Sequence, residues 1–351
     1  MTLIFGTVQS RDGMKSKDFM ENSFQPVQTW LTDRQRVDTL RGFACLLLVL
    51  HHTILDFSTF TGQALTEVRS VDFILSDVRM PMFSFIAGLI FAYHSERSKS
   101  WQFIEKKAER LLLPFVVTTL IIVALKTVYP SASVPVTLAE IPYLLVYGYS
   151  HLWFLQAIFL IFCFYALLNM VTDVSKALYG ICFVSFIGLY LSPLRSIELF
   201  SIGQAFYLAP FFTFGILVTK NIEWISSNRK ILLVFSVIFF VSIFIATASF
   251  GDTENQLYTR IRSFLVGLTF LIIIYLTMPR ISYLYRIGAY SFTIFLFHSI
   301  FIALGVRLVP ETPATGLLLT LSLAIFGSIS LEVFVDRFIP AFRFGVGKGF
   351  R

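Results

Sequence analysis

Between Arg36 and Asp56 the chain reads RVDTLRGFACLLLVLHHTILD, which places an acid, a cation, a thiol and two imidazoles inside one apolar run. On a helix, Asp38, Arg41, Cys45 and His52 return to nearly the same face, because their spacings are close to multiples of the 3.6-residue turn. His52 then stands roughly 16 Å along the axis from Arg41, at about 1.5 Å per residue. That is about half the thickness of a bilayer core of about 30 Å. His51 points about 100° away from the stripe, so His52 is the imidazole expected to share a site with Arg41. Imidazole, with an unperturbed pKa of about 6.5, is neutral often enough at physiological pH to take a proton from a hydroxyl. A stripe with cation and carboxylate at one end and imidazole deeper in suits group transfer between an anionic donor on one side and an acceptor from the other.

The elements that must hold this stripe are membrane helices. The sequence is 56% hydrophobic and only 14% charged, where a soluble domain carries about a quarter charged residues. Ten apolar windows of roughly helical-span length follow one another, at 38–57, 71–93, 111–129, 151–170, 177–192, 200–219, 231–250, 260–278, 286–306 and 315–336. They must be helices, since unpaired backbone cannot face lipid. The predicted fold class is therefore all-α, a polytopic bundle of about ten transmembrane helices. Except for Arg69, Arg79, Lys126, Arg195, Arg260, Arg262 and Arg307, every Lys and Arg falls at a terminus or on alternate joints. Both termini are accordingly expected in the cytoplasm. The same distribution accounts for the net charge of +7 without nucleic acid as a partner. Residues 1–33 are polar and mixed in charge, with no signal-peptide core, and are expected to be a disordered cytoplasmic segment in which Met14 or Met20 could be the start. Residues 338–351 read as a short basic cytoplasmic tail. Cys45, Cys163 and Cys182 lie in apolar windows without paired spacing, so neither a disulfide nor a metal site is expected. No internal repeat is found.

Other chemistry-bearing residues lie within the windows. Arg or Asp at a span centre costs at least about 2.5 kcal/mol, which makes each a functional-site hypothesis. Arg79 opens RMPMFSFIAGLIF, with Asp72 or Asp77 as a structural partner and the small pair Ala87-Gly88 suited to close helix packing. The joint from Ser95 to Arg110 is the most basic cytoplasmic one and includes Lys107 and Arg110, for which membrane anchoring is the plain alternative. The joint from Pro130 to Ser150 has no Lys or Arg and leads into HLWFLQ, so His151, Trp153 and Gln156 enter from the far side, as a re-entrant segment or as an interfacial belt. Ser291 and His298 share a face of the ninth window, with His298 about as deep as His52. Glu332 and Asp336 are expected to meet basic neighbours, and His94 to be solvated without a role.

Taken together, Arg36-x-Asp38-x-x-Arg41-Gly42 with Arg41-x10-His52, then RMPMFSFIAGLIF, KKAERLLLPF, HLWFLQ and YSFTIFLFH in order, resemble the acyltransferase-3 family of membrane-bound O-acyltransferases that act on cell-surface polysaccharides such as exopolysaccharide and O-antigen. The resemblance spans about residues 34–337, expected as the transmembrane acyltransferase domain. It implies a multi-pass protein of the bacterial inner membrane that transfers an acyl group, commonly acetyl, from cytosolic acyl-CoA to a sugar hydroxyl of a cell-surface glycan or its lipid-linked precursor. The implied co-substrate is acetyl-CoA or another acyl-CoA, with no permanently bound cofactor. Implied partners are the glycan, the bilayer and glycan-synthesis machinery. His52 would be the catalytic residue, as general base or through an acyl-histidine, with Arg41 and Asp38 orienting it or binding donor groups. The family's basic Arg-x-x-Arg pair falls on Lys107 and Arg110, donor-binding with Arg41; Lys107 is a point charge where the family has a bidentate fork. Arg79, His298, His151 and Trp153 are the expected acceptor-side residues.

A transporter or flippase for a glycan or small metabolite is the competing class. It would favour mid-membrane carboxylates and inverted or parallel repeats, and neither is evident in the sequence. A scaffold in a glycan-synthesis complex would leave the shared deep face of Asp38, Arg41 and His52 unexplained.

Overall fold

A computed structural model describes residues 34–61, 66–94, 98–128, 138–250, 255–308 and 313–348. The expected segment 1–33 with its alternative starts and the last residues of the expected tail lie outside the described residues. The ordered elements are helices: α1 (Arg34–Thr61), α2 (Thr66–Tyr93), α3 (Trp101–Val128), α4 (Ile141–Tyr147), α5 (Trp153–Val171), α6 (Lys176–Leu191), α7 (Ile202–Lys220), α8 (Ile222–Ser227), α9 (Arg229–Phe250), α10 (Gln256–Thr277), α11 (Ser282–Ala289), α12 (Ser291–Leu308) and α13 (Pro313–Phe338). No strand occurs among the described residues. Eight helical stretches among them are long and apolar enough to cross a membrane, within α1, α3, α5, α7, α9, α10, α12 and α13. The windows expected at 177–192 and 71–93 are occupied by α6, apolar but shorter, and by α2, whose first half is polar. The protein is an all-α polytopic membrane protein.

Packing follows from where small residues let backbones meet. A Cβ on Gly88 of α2 would stand 2.0 Å from the Phe212 carbonyl oxygen of α7, and one on Gly215 of α7 would stand 2.3 Å from that of Phe85. The Ala87-Gly88 stretch thus serves the close crossing its composition suggested. Around it, Phe91, Phe103, Phe162, Tyr165 and Phe212 stack and tilt against one another at centroid distances from 5.2 to 6.1 Å, within the range favoured by aromatic pairs.

The ninth window departs from a single span. It divides at Tyr290 into the short amphipathic α11 and the deep α12. In SYLYRIGA only Leu284 and Gly288 are buried, while Tyr283 and Arg286 face outward. α11 lies on the first turns of α1 through a glycine seam: a Cβ on Gly288 would fall 1.8 Å from the Asp38 carbonyl oxygen, and one on Gly42 would fall 2.0 Å from that of Leu284.

Arg36 fastens the same end. It is almost wholly buried and donates through Nε to the Met278 carbonyl at 3.1 Å and through Nη2 to the Tyr275 carbonyl. Arg229 donates to the Leu276 carbonyl at 2.6 Å. These are the last carbonyls of α10, which have no intrahelical donor, and cations offset the negative end of the helix dipole. Charged hydrogen bonds of this kind are worth about 1.5–3 kcal/mol each. Arg36→Gln is therefore expected to lower unfolding free energy by at least about 2 kcal/mol, read as a lower melting temperature in detergent. A melt matching wild type would refute the fastening role.

Glu332 and Asp336 do meet basic residues. Lys348 donates to Glu332 at 2.7 Å and to Asp336, and Arg343 pairs with Asp336 at 2.8 Å. Burial alone would lower the Lys348 ammonium, but its bonds to Asp336 and Glu332 outweigh that and raise it above the ordinary lysine range. The 3-10 segment Pro340–Val346 is thereby held against the bundle, with Gly345 and Val346 buried.

Candidate active site

Three imidazoles converge from three separate segments. His52 projects from α1, His151 from the 3-10 turn Ser150–Leu152 before α5, and His298 from α12. Ring centroids are 5.1 Å apart for His52 and His298, 5.9 Å for His52 and His151, and 4.5 Å for His151 and His298. His51 touches His52 edge-on at 5.0 Å. His52 is half-buried, whereas His151 and His298 are buried. Among the described residues no group of three or more His, Cys, Asp or Glu is arranged to hold a metal ion.

The hydrogen bonds of His298 decide its proton. Nδ1 lies 2.9 Å from the carbonyls of both Ile294 and Phe295, and carbonyls only accept, so Nδ1 carries the hydrogen. Nε2 of the neutral ring is then a bare lone pair, buried and without a hydrogen-bond partner; His151 Nε2 is also buried without one.

His151 is delivered by a strained turn. Gly148 has φ of 75°, where a glycine is favoured, and Ser150 follows at 51°. Across from it Phe200 and Ser201 have φ of 48° and 54°. Such non-glycine residues cost of order 1–3 kcal/mol each and persist only where their surroundings hold them. Gln156 provides that hold: its amide donates to the Leu145 carbonyl at 2.7 Å and its Oε1 accepts from Ser201 Oγ at 2.7 Å. Trp153, one turn before Gln156, packs against Phe154 and makes no ring contact with the three imidazoles.

At the end of the bundle where α1 begins, Asp38, Arg41 and Arg34 line a cavity of about 580 Å³ with Leu89 and Tyr93 of α2, His94 just beyond it, Thr219 of α7 and Tyr275 of α10. Arg41 donates to Asp38 at 2.9 Å, and Arg34 lies 3.8 Å from the same carboxylate. Lys107 and Arg110 of α3 lie within electrostatic range of Arg41. The Lys107 ammonium sits 3.8 Å from the Phe162 ring centroid, a cation–π contact that holds the charge at the margin of the aromatic core. Pro114 lies inside α3 one turn beyond Arg110 and has no N–H for the Arg110 carbonyl. Cys45, between the two ends of the stripe, donates to the Ser291 carbonyl at 3.5 Å and ties α1 to α12.

Arg79 is placed differently from the expectation of a carboxylate partner on its own helix. Asp77 turns to α10, accepting from Ser263 at 2.8 Å and lying 3.9 Å from Arg262. The side chain of Asp72 lies outside the described residues. Arg79 is half-buried, with Nε and Nη1 buried and without hydrogen-bond partners, and lies within electrostatic range of His298 and Tyr207. Sequence reading passed over Tyr207, Gln204 and Arg195, which carry no spacing signal of their own, and gave His94 no place. His94 is indeed exposed, but it forms part of the cavity wall.

The basic cavity and the imidazole cluster are joined along α1, about 16 Å apart by the helical rise. Residues 34–333 match the family model Acyl_transf_3, described as an acyltransferase domain. No significant match is found to a curated protein or to a solved structure. The matched region contains the cavity, all three converging histidines and the long helices except the end of α13, and the chain belongs to the acyltransferase-3 family as a multi-pass membrane acyltransferase.

Proposed function

We propose that the protein transfers an acetyl group from cytosolic acetyl-CoA to a hydroxyl of a cell-surface glycan or its lipid-linked precursor at the bacterial inner membrane. The observation that carries this reading is the convergence of His52, His151 and His298 at one end of a helical stripe whose other end opens on a cavity bearing Arg41. Arg41, Lys107 and Arg110 give that end a positive potential suited to the phosphates of the donor, Arg41 and Arg110 with fork geometry and Lys107 as a point charge. Asp38 holds the Arg41 guanidinium in place. The pantetheine arm would run along α1 and bring the thioester to His52. There His52 takes the proton of the sugar hydroxyl as its oxygen attacks the thioester carbonyl; the tetrahedral intermediate collapses, the C–S bond breaks, and the thiolate of CoA leaves. His298 presents a bare Nε2 that can accept a hydrogen bond from the acceptor or the His52 ring, and His151 closes the far side. Trp153 would support the His151 turn or meet the acceptor at its entrance.

The test uses the full-length protein in nanodiscs with acetyl-labelled acetyl-CoA and crude cell glycan. Label is expected in glycan, with release of free CoA in equal amount. If acetyl-CoA is neither bound nor consumed, the donor assignment falls.

A further inference from the structure

Among the described residues, the guanidinium of Arg79 carries two buried nitrogens, Nε and Nη1, without a hydrogen-bond partner. It stands roughly 21 Å of helix from Tyr93 at the basic end, at about 1.5 Å per residue, and so belongs to the opposite half of the bundle. Its neighbour in sequence, Asp77, is engaged elsewhere for a local reason. Pro81 removes the N–H that would bond the Asp77 carbonyl; Gly267 of α10 packs against that carbonyl, and the carboxylate goes to Ser263 and Arg262 of α10. Arg79 is instead within electrostatic range of His298 and Tyr207. A buried guanidinium without a hydrogen-bonded anion is costly to maintain, and in a membrane segment such a group marks a ligand or ion path.

The surroundings are those of a sugar site with a charge. Gln204 and Tyr207 are three residues apart on one face of α7. Gln204 Oε1 is buried with no hydrogen-bond partner, so it is free to accept from a hydroxyl. The Arg195 guanidinium lies over the Tyr207 ring at 4.5 Å and the Tyr190 ring at 4.6 Å, which adds positive potential beside Tyr207. Nothing comparable lines the donor cavity, where Asp38 already answers Arg41.

We propose that Arg79 binds an anionic substituent of the acceptor, so that the acceptor is a sugar bearing a carboxylate or a phosphate diester near the hydroxyl that receives the acyl group. This rests on the acyl-transfer reading above. Arg79 engages the oxyanion through two parallel N–H bonds, Gln204 accepts from a sugar hydroxyl, and the charge fixes the ring so that the reacting hydroxyl faces His52 and His298.

The experiment labels crude cell glycan with acetyl-CoA and the full-length protein in nanodiscs, then passes the product over an anion-exchange resin. Labelled glycan is expected to be retained. Carbodiimide amidation of the glycan pool before the reaction removes carboxylates, and mild acid cleaves glycosyl phosphates; one of the two treatments is expected to abolish labelling and so name the anion. Arg79→Gln should lower kcat/KM for glycan at least 100-fold, and Arg79→Lys, which keeps charge but loses the fork, about tenfold, with the loss in KM for glycan and not in KM for acetyl-CoA. Label that runs through the resin, or transfer that survives both treatments, overturns the proposal while leaving acyl transfer intact. No label in any glycan overturns the acyl-transfer reading itself.

Discussion

If the proposed acetyl transfer to glycan runs through His52, His52→Ala is expected to lower it by about 10²- to 10⁴-fold, the usual contribution of a positioned general base. The loss should fall on kcat, because His52 is the imidazole at which the stripe from Arg41 meets His151 and His298, while the cavity lined by Asp38 and Arg41, the proposed donor site, lies a half-bilayer away. The variant should fold, since the His52 ring is half-buried and none of its ring nitrogens is tied to a backbone carbonyl in the way that Nδ1 of His298 is. His51→Ala is the informative comparison: the same helix turn loses an imidazole of equal size that points about 100° away, and its effect should be at least tenfold smaller. The measurement is single-turnover transfer of labelled acetyl at saturating acetyl-CoA. Activity of His52→Ala within a few-fold of wild type would remove His52 from the reaction and point to His298, whose Nε2 is already a free lone pair.

Among the described glycines, Gly288→Ala is expected to be the most damaging change to alanine. The added carbon would stand 1.8 Å from the Asp38 carbonyl oxygen and 3.0 Å from the Gly42 nitrogen, both backbone atoms that cannot rotate aside. The whole of α11 would have to lift from α1, and with it the buried Leu284 and the bond from the Ile281 N–H to Thr39 Oγ1. Overpacking of a rigid seam combined with lost burial places the cost at about 3–5 kcal/mol. Gly180→Ala serves as the control, because a Cβ there meets nothing within 4 Å and alanine is favoured over glycine inside a helix by about 1 kcal/mol. Thermal melts in detergent should therefore move in opposite directions for the two variants. Equal melts would mean that the seam between α1 and α11 is not packed as described. Because Asp38 and Arg41 lie on the same turns as the seam, partial folding of Gly288→Ala should also weaken binding of acetyl-CoA, and extra acetyl-CoA should raise its melting temperature.

Local pattern was enough for much of this protein. Each apolar window but the ninth became one main helix because about 20 apolar residues in lipid have only one way to satisfy their backbone, and Asp38, Arg41 and His52 share a stripe because 3.6-residue periodicity acts within a single helix. The close crossing at Gly88 was equally legible, since small residues state in advance where backbones can touch. The division of the ninth window was not. A run of apolar residues reads alike in an interfacial helix and in a span, and only the docking of Gly288 onto the Asp38 carbonyl distinguishes them.

Only the tertiary structure decided which imidazoles meet. His151 and His298 lie far from His52 in sequence, and no spacing rule relates residues on different helices; a left-handed Ser150 held through Gln156 and a helix whose carbonyls take Nδ1 of His298 bring the rings within 6 Å. The fate of the charges was likewise a matter of neighbours. Arg36, at the entry to the first window, became the cap of α10, and Asp77, adjacent enough to Arg79 to pair with it, was drawn to α10 by Ser263 and Arg262. A charge chooses its partner by distance and dielectric after folding, so the sequence announced that these groups had to be answered, and the packing determined by what.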